Sequence, residues 1–209
     1  MKKSIFKKDK KYTFSDYFEL NNPIEEIIAE FGYSLSIEIL EFPVSKNIDK
    51  KVIKNLQDTY YEILPKITLN SEIAKRDFMI APLLLEVIRH VDAKIFVEYP
   101  IEINDRLGGS LDYLIRSSQE LIKIEAKKGD LDRGFNQLSA ELIALDQYEE
   151  ESSAELLYGA VTIGEVWRFS LLKRKTKFLI KDIHIYRIPE DTENVFSILL
   201  GILQQSTEA

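Results

Sequence analysis

Apolar positions in this chain recur with two periods, and the places where the period changes mark its elements. Asn22-Pro23 followed by IEEIIAEF predicts a short helix from about Pro23 to Phe31, with proline in its first turn. The stretch GYSLSIEILEF that comes next is strand-like. From Asp49 to Leu64 the residues Val52, Ile53, Leu56, Tyr60, Ile63 and Leu64 return at helical spacing, and Pro65 ends that helix. A third helix is expected from Asn70, a good N-cap, through IAKRDFMIAPLLLEVIRHV, with Glu72 in its first turn and a kink at Pro82.

The pattern then shortens to the two-residue period of a pleated strand. AKIFVEYPIEI, LDYLIR and ELIKIEAK are rich in β-branched and aromatic residues and predict three consecutive strands. Gly108-Gly109 is expected to separate the first two, and Ser117-Ser118-Gln119 to turn between the second and third as a hairpin. After Gly129 the stripe Phe135, Leu138, Leu142 and Leu145 predicts a helix from about Leu131 to Gln147. ELLYGAVTI, VWRFSLLKR and KFLIKDIHIYRI read as three more strands. A last helix from about Thr192 to Leu203 turns Val195, Phe196, Leu199 and Leu203 inward. This order implies an α/β fold with one central mixed sheet flanked by helices. Residues 1–209 are expected to form one domain, with 1–67 a mainly helical extension and 68–209 the core.

Composition narrows the chemistry. With 45% hydrophobic residues over 209 positions the chain can bury a substantial core, which excludes a disordered or fibrous protein. It has no cysteine, so thiolate metal sites, iron-sulfur clusters and cysteine nucleophiles are excluded. His90 and His184 are its two histidines, far apart in sequence and read as ordinary surface or satisfied residues. A bound metal is therefore expected to be a hard cation on oxygen ligands, Mg2+ or Mn2+. The basic start MKKSIFKKDKKY leads into no apolar run, and no stretch is long enough to span a bilayer, so the expected location is the cytoplasm. A net charge of -7 opposes indiscriminate binding to phosphate backbones, although acidic groups at a metal site add to that count and are neutralised by the cation.

One grouping carries chemistry. Alternation in ELIKIEAKK puts Ile122, Ile124 and Ala126 on one face and Lys123, Glu125 and Lys127 on the other. Glu125 and Lys127 then lie roughly 7 Å apart and can serve one substrate group. The acid-x-lysine triplet also occurs at Asp9 to Lys11, Asp49 to Lys51 and Asp92 to Lys94. Only the copy at Glu125 ends an apolar strand, follows a strand bearing Asp112 and precedes a helix opening after Gly129.

LDYLIR, the turn, LIKIEAKKGD and the helix containing Gln137 resemble the core of the PD-(D/E)XK nuclease superfamily, closest to the nuclease domain of type I restriction enzymes and the RecB-like branch. Asp112 matches the metal-binding aspartate, Glu125 the second acidic ligand, Lys127 the motif lysine and Gln137 the helical glutamine. SEIAKRDFMIAPLL is similar to the helix preceding the sheet, with Glu72 as its acidic residue, and YGAVTIGEVWRF is similar to a downstream segment. The resemblance spans roughly Asn70 to Phe169. It departs at Glu141, where the branch often carries tyrosine, and no phosphate-cradling loop of an ATP-driven motor is present.

The resemblance implies a restriction-endonuclease-like fold and Mg2+- or Mn2+-dependent hydrolysis of phosphodiester bonds in DNA. Asp112, Glu125 and Glu72 would bind metal, Lys127 and Gln137 would act in catalysis, and Arg133 and Lys128 would touch nucleic acid. A homo-oligomer or partner proteins remain compatible with it. The alternative is a catalytically inactive nucleic-acid-binding or assembly protein on the same fold. Bland readings stand beside each residue. Glu72 suits a first helical turn through the helix dipole alone, Gln137 with Glu141 suits a polar helix face, and Trp167 suits a sheet core.

Overall fold

The computed structural model describes residues 4–7, 9–46, 48–117, 120–125, 129–148 and 154–204, with 120–125 described as backbone. Helices α1 (Phe14–Phe18), α2 (Ile24–Ala29), α3 (Lys50–Ile63), α4 (Glu72–Lys75), α5 (Ala81–Ile88), α6 (Leu131–Tyr148) and α7 (Thr192–Leu203) are interspersed with strands. The strands are β1 (Ser34–Glu38), β2 (Lys94–Asn104), β3 (Leu107–Arg116), β4 (Glu120–Glu125), β5 (Leu156–Thr162), β6 (Val166–Lys173), β7 (Phe178–Asp182) and β8 (Tyr186–Arg187). Among the described residues they form one sheet in the order β1-β7-β6-β5-β4-β3-β2, with β8 on β6. The pairings β1–β7 and β4–β5 are parallel and the others antiparallel, so β1, β4, β5 and β7 all end at the same edge of the sheet. The fold is mixed α/β, as the sequence pattern predicts.

Both faces of the sheet are covered, which is why its central strands are apolar without a clean alternation. In β5, Leu157 and Val161 pack on one side with Phe135, Leu138 and Leu142 of α6 and with Phe14, Tyr17, Ile27 and Ile28 from the N-terminal helices. Tyr158 and Ala160 turn the other way, among Leu56 and Tyr60 of α3, Leu83 and Val87 of α5, and Val195 and Phe196 of α7. Gly159 lets α6 approach, because a Cβ there would meet Leu138 and Ser170 side-chain atoms at 3.0 Å.

Several expectations need correction. Residues 1–67 carry α1, α2 and α3 but are not a helical extension apart from the core: β1 extends the sheet beside β7, and the N-terminal aromatic residues complete one layer. Helix α1, too short for a periodic signal, is set by a capping box in which Asp16 Oδ2 accepts from Thr13 N at 2.8 Å. Gly108 and Gly109 lie inside β3. The chain turns instead at Asp105-Arg106, because Asn104 Oδ1 accepts from the backbone N–H groups of Arg106 and Leu107 at 2.8 and 3.1 Å.

The N-cap of α4 is Ser71 and not Asn70, its hydroxyl accepting from Ala74 N at 3.0 Å. Pro82 interrupts the helical pattern through a turn of π-helix over Arg76–Ile80, in which Ala81 N–H reaches back five residues to Arg76 O. KFLIKDIHIYRI divides into β7 and β8, because Asp182 Oδ1 turns the chain by accepting from Leu40 N and His184 N at 3.3 and 3.2 Å. Of the hairpin turn between β3 and β4, Ser118 and Gln119 lie outside the described residues. Among the described residues no helix is long and apolar enough to cross a membrane.

Candidate functional site

The carboxyl end of β4, in register with that of β5, leads toward α6, and Glu72 of α4 lines one cleft with Gly129 of that connection. Glu125 is the last residue of β4, in register with Thr162, the last of β5. The β3–β4 ladder ends at Tyr113↔Lys123, so Asp112, one residue further back on β3, stands at the level of Ile124, one step before Glu125. The side chain of Glu125, and Lys127 and Lys128 as a whole, lie outside the described residues.

Regular alternation does not pass through Asp112. Leu111 and Tyr113, two apart, belong to opposite layers of the molecule. Opposite them on β2, the pairs Val97↔Tyr113 and Tyr99↔Leu111 bracket Glu98, whose φ is +52°. A non-glycine residue in that region is strained, and strain of this kind is retained where the surroundings over-determine it. The distortion therefore sits at the strand pair carrying the expected metal-binding aspartate.

Glu72 opens α4 in an exposed position. It lines an open cleft of about 700 Å³ together with Leu69, Asn70, Ser71, Ile73, Lys75 and Gly129. Gly129, at φ +73°, begins the approach to α6, so the cleft joins the helix bearing Glu72 to the segment following β4. The same helix is braced against the β5–β6 turn, where a Cβ on Gly164 would lie 3.4 Å from Lys75 and Met79 Cβ atoms. In open α/β sheets the carboxyl ends of parallel strands are the usual place for ligands, since connecting loops and helix N-termini converge there.

Gln137 is buried, and its Nε2 donates to Glu141 Oε1 at 3.0 Å. Neither residue belongs to a solvated polar face, because α6 is enclosed between the sheet and the N-terminal helices. Arg133, expected beside Gln137, is turned elsewhere. Its guanidinium donates to Asn21 Oδ1 at 3.1 Å and lies 3.6 Å from Asp130 and 3.9 Å from Glu19. Trp167 is fully buried with Nε1 donating to Gly164 O at 3.1 Å, as a core residue. His90 and His184 face carboxylates of Glu86 and Asp182 at 3.2 and 3.4 Å.

No family model matches this chain, and no curated protein matches its sequence. Among the described residues no three histidine or carboxylate groups converge as a metal site.

The structure adds Arg76. It opens the π-turn, and its guanidinium lies over the Tyr113 ring at 5.2 Å with Nη1 3.4 Å from Glu98 Oε1. Burial works against its charge, but the Tyr113 hydroxyl, the Asp112 carboxylate and Glu98 outweigh it and hold the pKa above its ordinary value. Sequence reasoning missed Arg76 because its partners are 22 to 37 positions away and nothing local marks it; the one available hint was Pro82, which perturbs the helix around it.

Proposed function

We propose that this chain is a metal-dependent nuclease that hydrolyses phosphodiester bonds in DNA, on a restriction-endonuclease-like core of the PD-(D/E)XK type. The observation that supports this most is one of register. Asp112 on β3 lies one register step from Glu125 on the adjacent β4, at the carboxyl end of β4, beside the cleft that Glu72 shares with Gly129.

Asp112, Glu125 and Glu72 would offer an all-oxygen donor set, which suits Mg2+ or Mn2+ better than a softer metal. Asp112 is half-buried, where a carboxylate keeps one side toward solvent and can accept a cation. Bound there, such an ion would lower the pKa of an attacking water and offset charge on the phosphate. Lys127 would stabilise the same developing charge: an unperturbed lysine, with a pKa of about 10.4, stays protonated at neutral pH and acts as a cation before it acts as a base. The burial of Gln137 and its bond to Glu141 favour a structural task for the proposed catalytic glutamine. Lys128 remains a proposed nucleic-acid contact, whereas the ion pairs of Arg133 favour a structural task for that residue.

The test uses the full chain with supercoiled plasmid and with single-stranded DNA in Mg2+ or Mn2+, beside Asp112→Ala and Lys127→Ala. Cleavage is expected from the parent chain and from neither variant. Equal cleavage by all three overturns the assignment. Tight DNA binding with no cleavage under any of these conditions would establish the inactive binding protein in its place.

A further inference from the structure

We infer that Arg76 is the phosphate-binding cation of this site, an arginine that grips the DNA backbone next to the carboxylates. The inference rests on the nuclease reading and adds to it a residue and a substrate contact. Arg76 occupies the start of a π-turn, a local widening of the helix that redirects side chains and recurs at functional positions. Its side chain is about one-fifth exposed, so the guanidinium is held in place yet reachable from solvent.

Three neighbours hold the group in position, and a guanidinium has five N–H donors to share among them and a ligand. The Tyr113 ring lies against the guanidinium at 5.2 Å, with the Tyr113 hydroxyl and the Asp112 carboxylate as further neighbours. The pair with Glu98 is long at 3.4 Å, and that glutamate is mostly exposed, so by itself it stabilises little. Glu98 nonetheless keeps the strained φ of +52° directly across the strand pair from Asp112. A strained acid, a half-buried acid and an arginine on an aromatic ring thus meet where β2, β3 and α4 converge.

A guanidinium suits the task because its planar fork matches two oxygens of a phosphodiester and never loses its proton at physiological pH. Next to carboxylates it also balances their charge before divalent ions arrive. Two opposite effects follow from one substitution. Removing the cation weakens the hold on DNA, whereas divalent ions meet less repulsion and bind as tightly as before or more tightly. A guanidinium serving only to pack α4 on the sheet would leave DNA affinity and its salt dependence unchanged when replaced.

The experiment compares the parent chain with Arg76→Met and Arg76→Lys. Binding of a short mixed-sequence DNA duplex is followed over a range of salt concentrations, with Ca2+ replacing Mg2+ so that binding is read without turnover. Mn2+ affinity is measured by calorimetry without DNA, and thermal unfolding confirms that each variant is folded. Arg76→Met is expected to weaken DNA binding about tenfold and to reduce the salt slope by about one, with Mn2+ affinity equal or higher. Arg76→Lys should recover part of the affinity and, by keeping a cation, most of the slope. Wild-type affinity and slope in Arg76→Met overturn the inference. That result leaves the nuclease reading intact if Asp112→Ala still abolishes cleavage; if Asp112→Ala cleaves normally, both fall together.

Discussion

The Nε2 of Gln137 donates a 3.0 Å hydrogen bond to Oε1 of Glu141 one turn later in α6, and both side chains are shut away from solvent. A polar pair at i and i+4 is an ordinary surface feature, but within a helix covered on both sides it becomes a constraint on the core. Gln137→Ala takes the donor away from a buried carboxylate and should lower stability by about 1–3 kcal/mol. Gln137→Glu places a second carboxylate beside the first and should lower it further. Urea unfolding with an unchanged m-value measures both; a midpoint unaltered in Gln137→Ala would mean that the bond contributes nothing net.

A second buried polar group ties the far end of α6 to the β6–β7 turn. Arg174 Nε donates to Asp146 Oδ1 at 2.6 Å, Arg174 Nη1 donates to Ala154 O at 2.9 Å, and Tyr33 Oη donates to Asp146 Oδ2 at 2.6 Å. Both charged side chains are about nine-tenths buried. Asp146→Ala abandons a buried guanidinium and should cost about 3–5 kcal/mol, a large share of the 5–15 kcal/mol that holds a domain together. Asp146→Asn retains one of the two acceptor oxygens and loses the charge, and should fall between the two proteins in a thermal melt.

These two examples show what local pattern could and could not carry. Helix α6, its apolar stripe of Phe135, Leu138, Leu142 and Leu145, and the β3 and β4 strands were legible because each is a periodic signal contained in one segment. The burial of Gln137 and Glu141 was not, since it depends on α1 and α2 closing over a helix more than a hundred residues later. The pairing of β1 with β7 is equally non-local, and so is the stacking of Arg76 on Tyr113. The turn after Asn104 was hidden because the side-chain hydrogen bonds that make it lie just before a more conspicuous pair of glycines. Of the candidate site, the sequence could name the residues and their strands, but not the break in alternation at Asp112 and Glu98.

Tyrosine burial makes the protein sensitive to alkali. Burial pushes the phenols of Tyr17, Tyr33 and Tyr60 well above their ordinary range, and at Tyr33 the hydrogen bond to Asp146 adds to the effect. A pKa raised in the folded state stabilises it fully below the unfolded value of about 10, and that contribution falls away as the pH rises beyond it. Phenolate absorbance should therefore show part of the ten tyrosines titrating early and a delayed group appearing together with loss of near-ultraviolet dichroism. All ten ionising in one phase, with the fold intact, would show that the three are not sheltered.

Gly201 tests how the segment after β1 is fastened to the molecule. The chain from Pro43 to Ser45 crosses α7 closely enough for Ser45 N to donate to Ser197 O at 3.1 Å and Ser197 Oγ to donate to Ser45 O at 2.8 Å. Phe42 beside it packs on Phe169 with ring centroids 5.3 Å apart. A Cβ on Gly201 would fall on the Pro43 carbonyl and the Val44 backbone, neither of which can swing aside as a side-chain tip can. Alanine in a helix interior is favoured over glycine by about 1 kcal/mol, so on local grounds Gly201→Ala should stabilise. The overlap with backbone is the larger effect, and the net result should be a loss of about 1–3 kcal/mol with the segment displaced. Gly32→Ala is the control: its added carbon meets nothing within 4 Å, and only the φ of +82° costs it, about 1–2 kcal/mol. Hydrogen exchange separates the two variants. Gly201→Ala should speed exchange at Ser45 while Gly32→Ala leaves it unchanged, and a more stable Gly201→Ala would show that the segment does not press on α7.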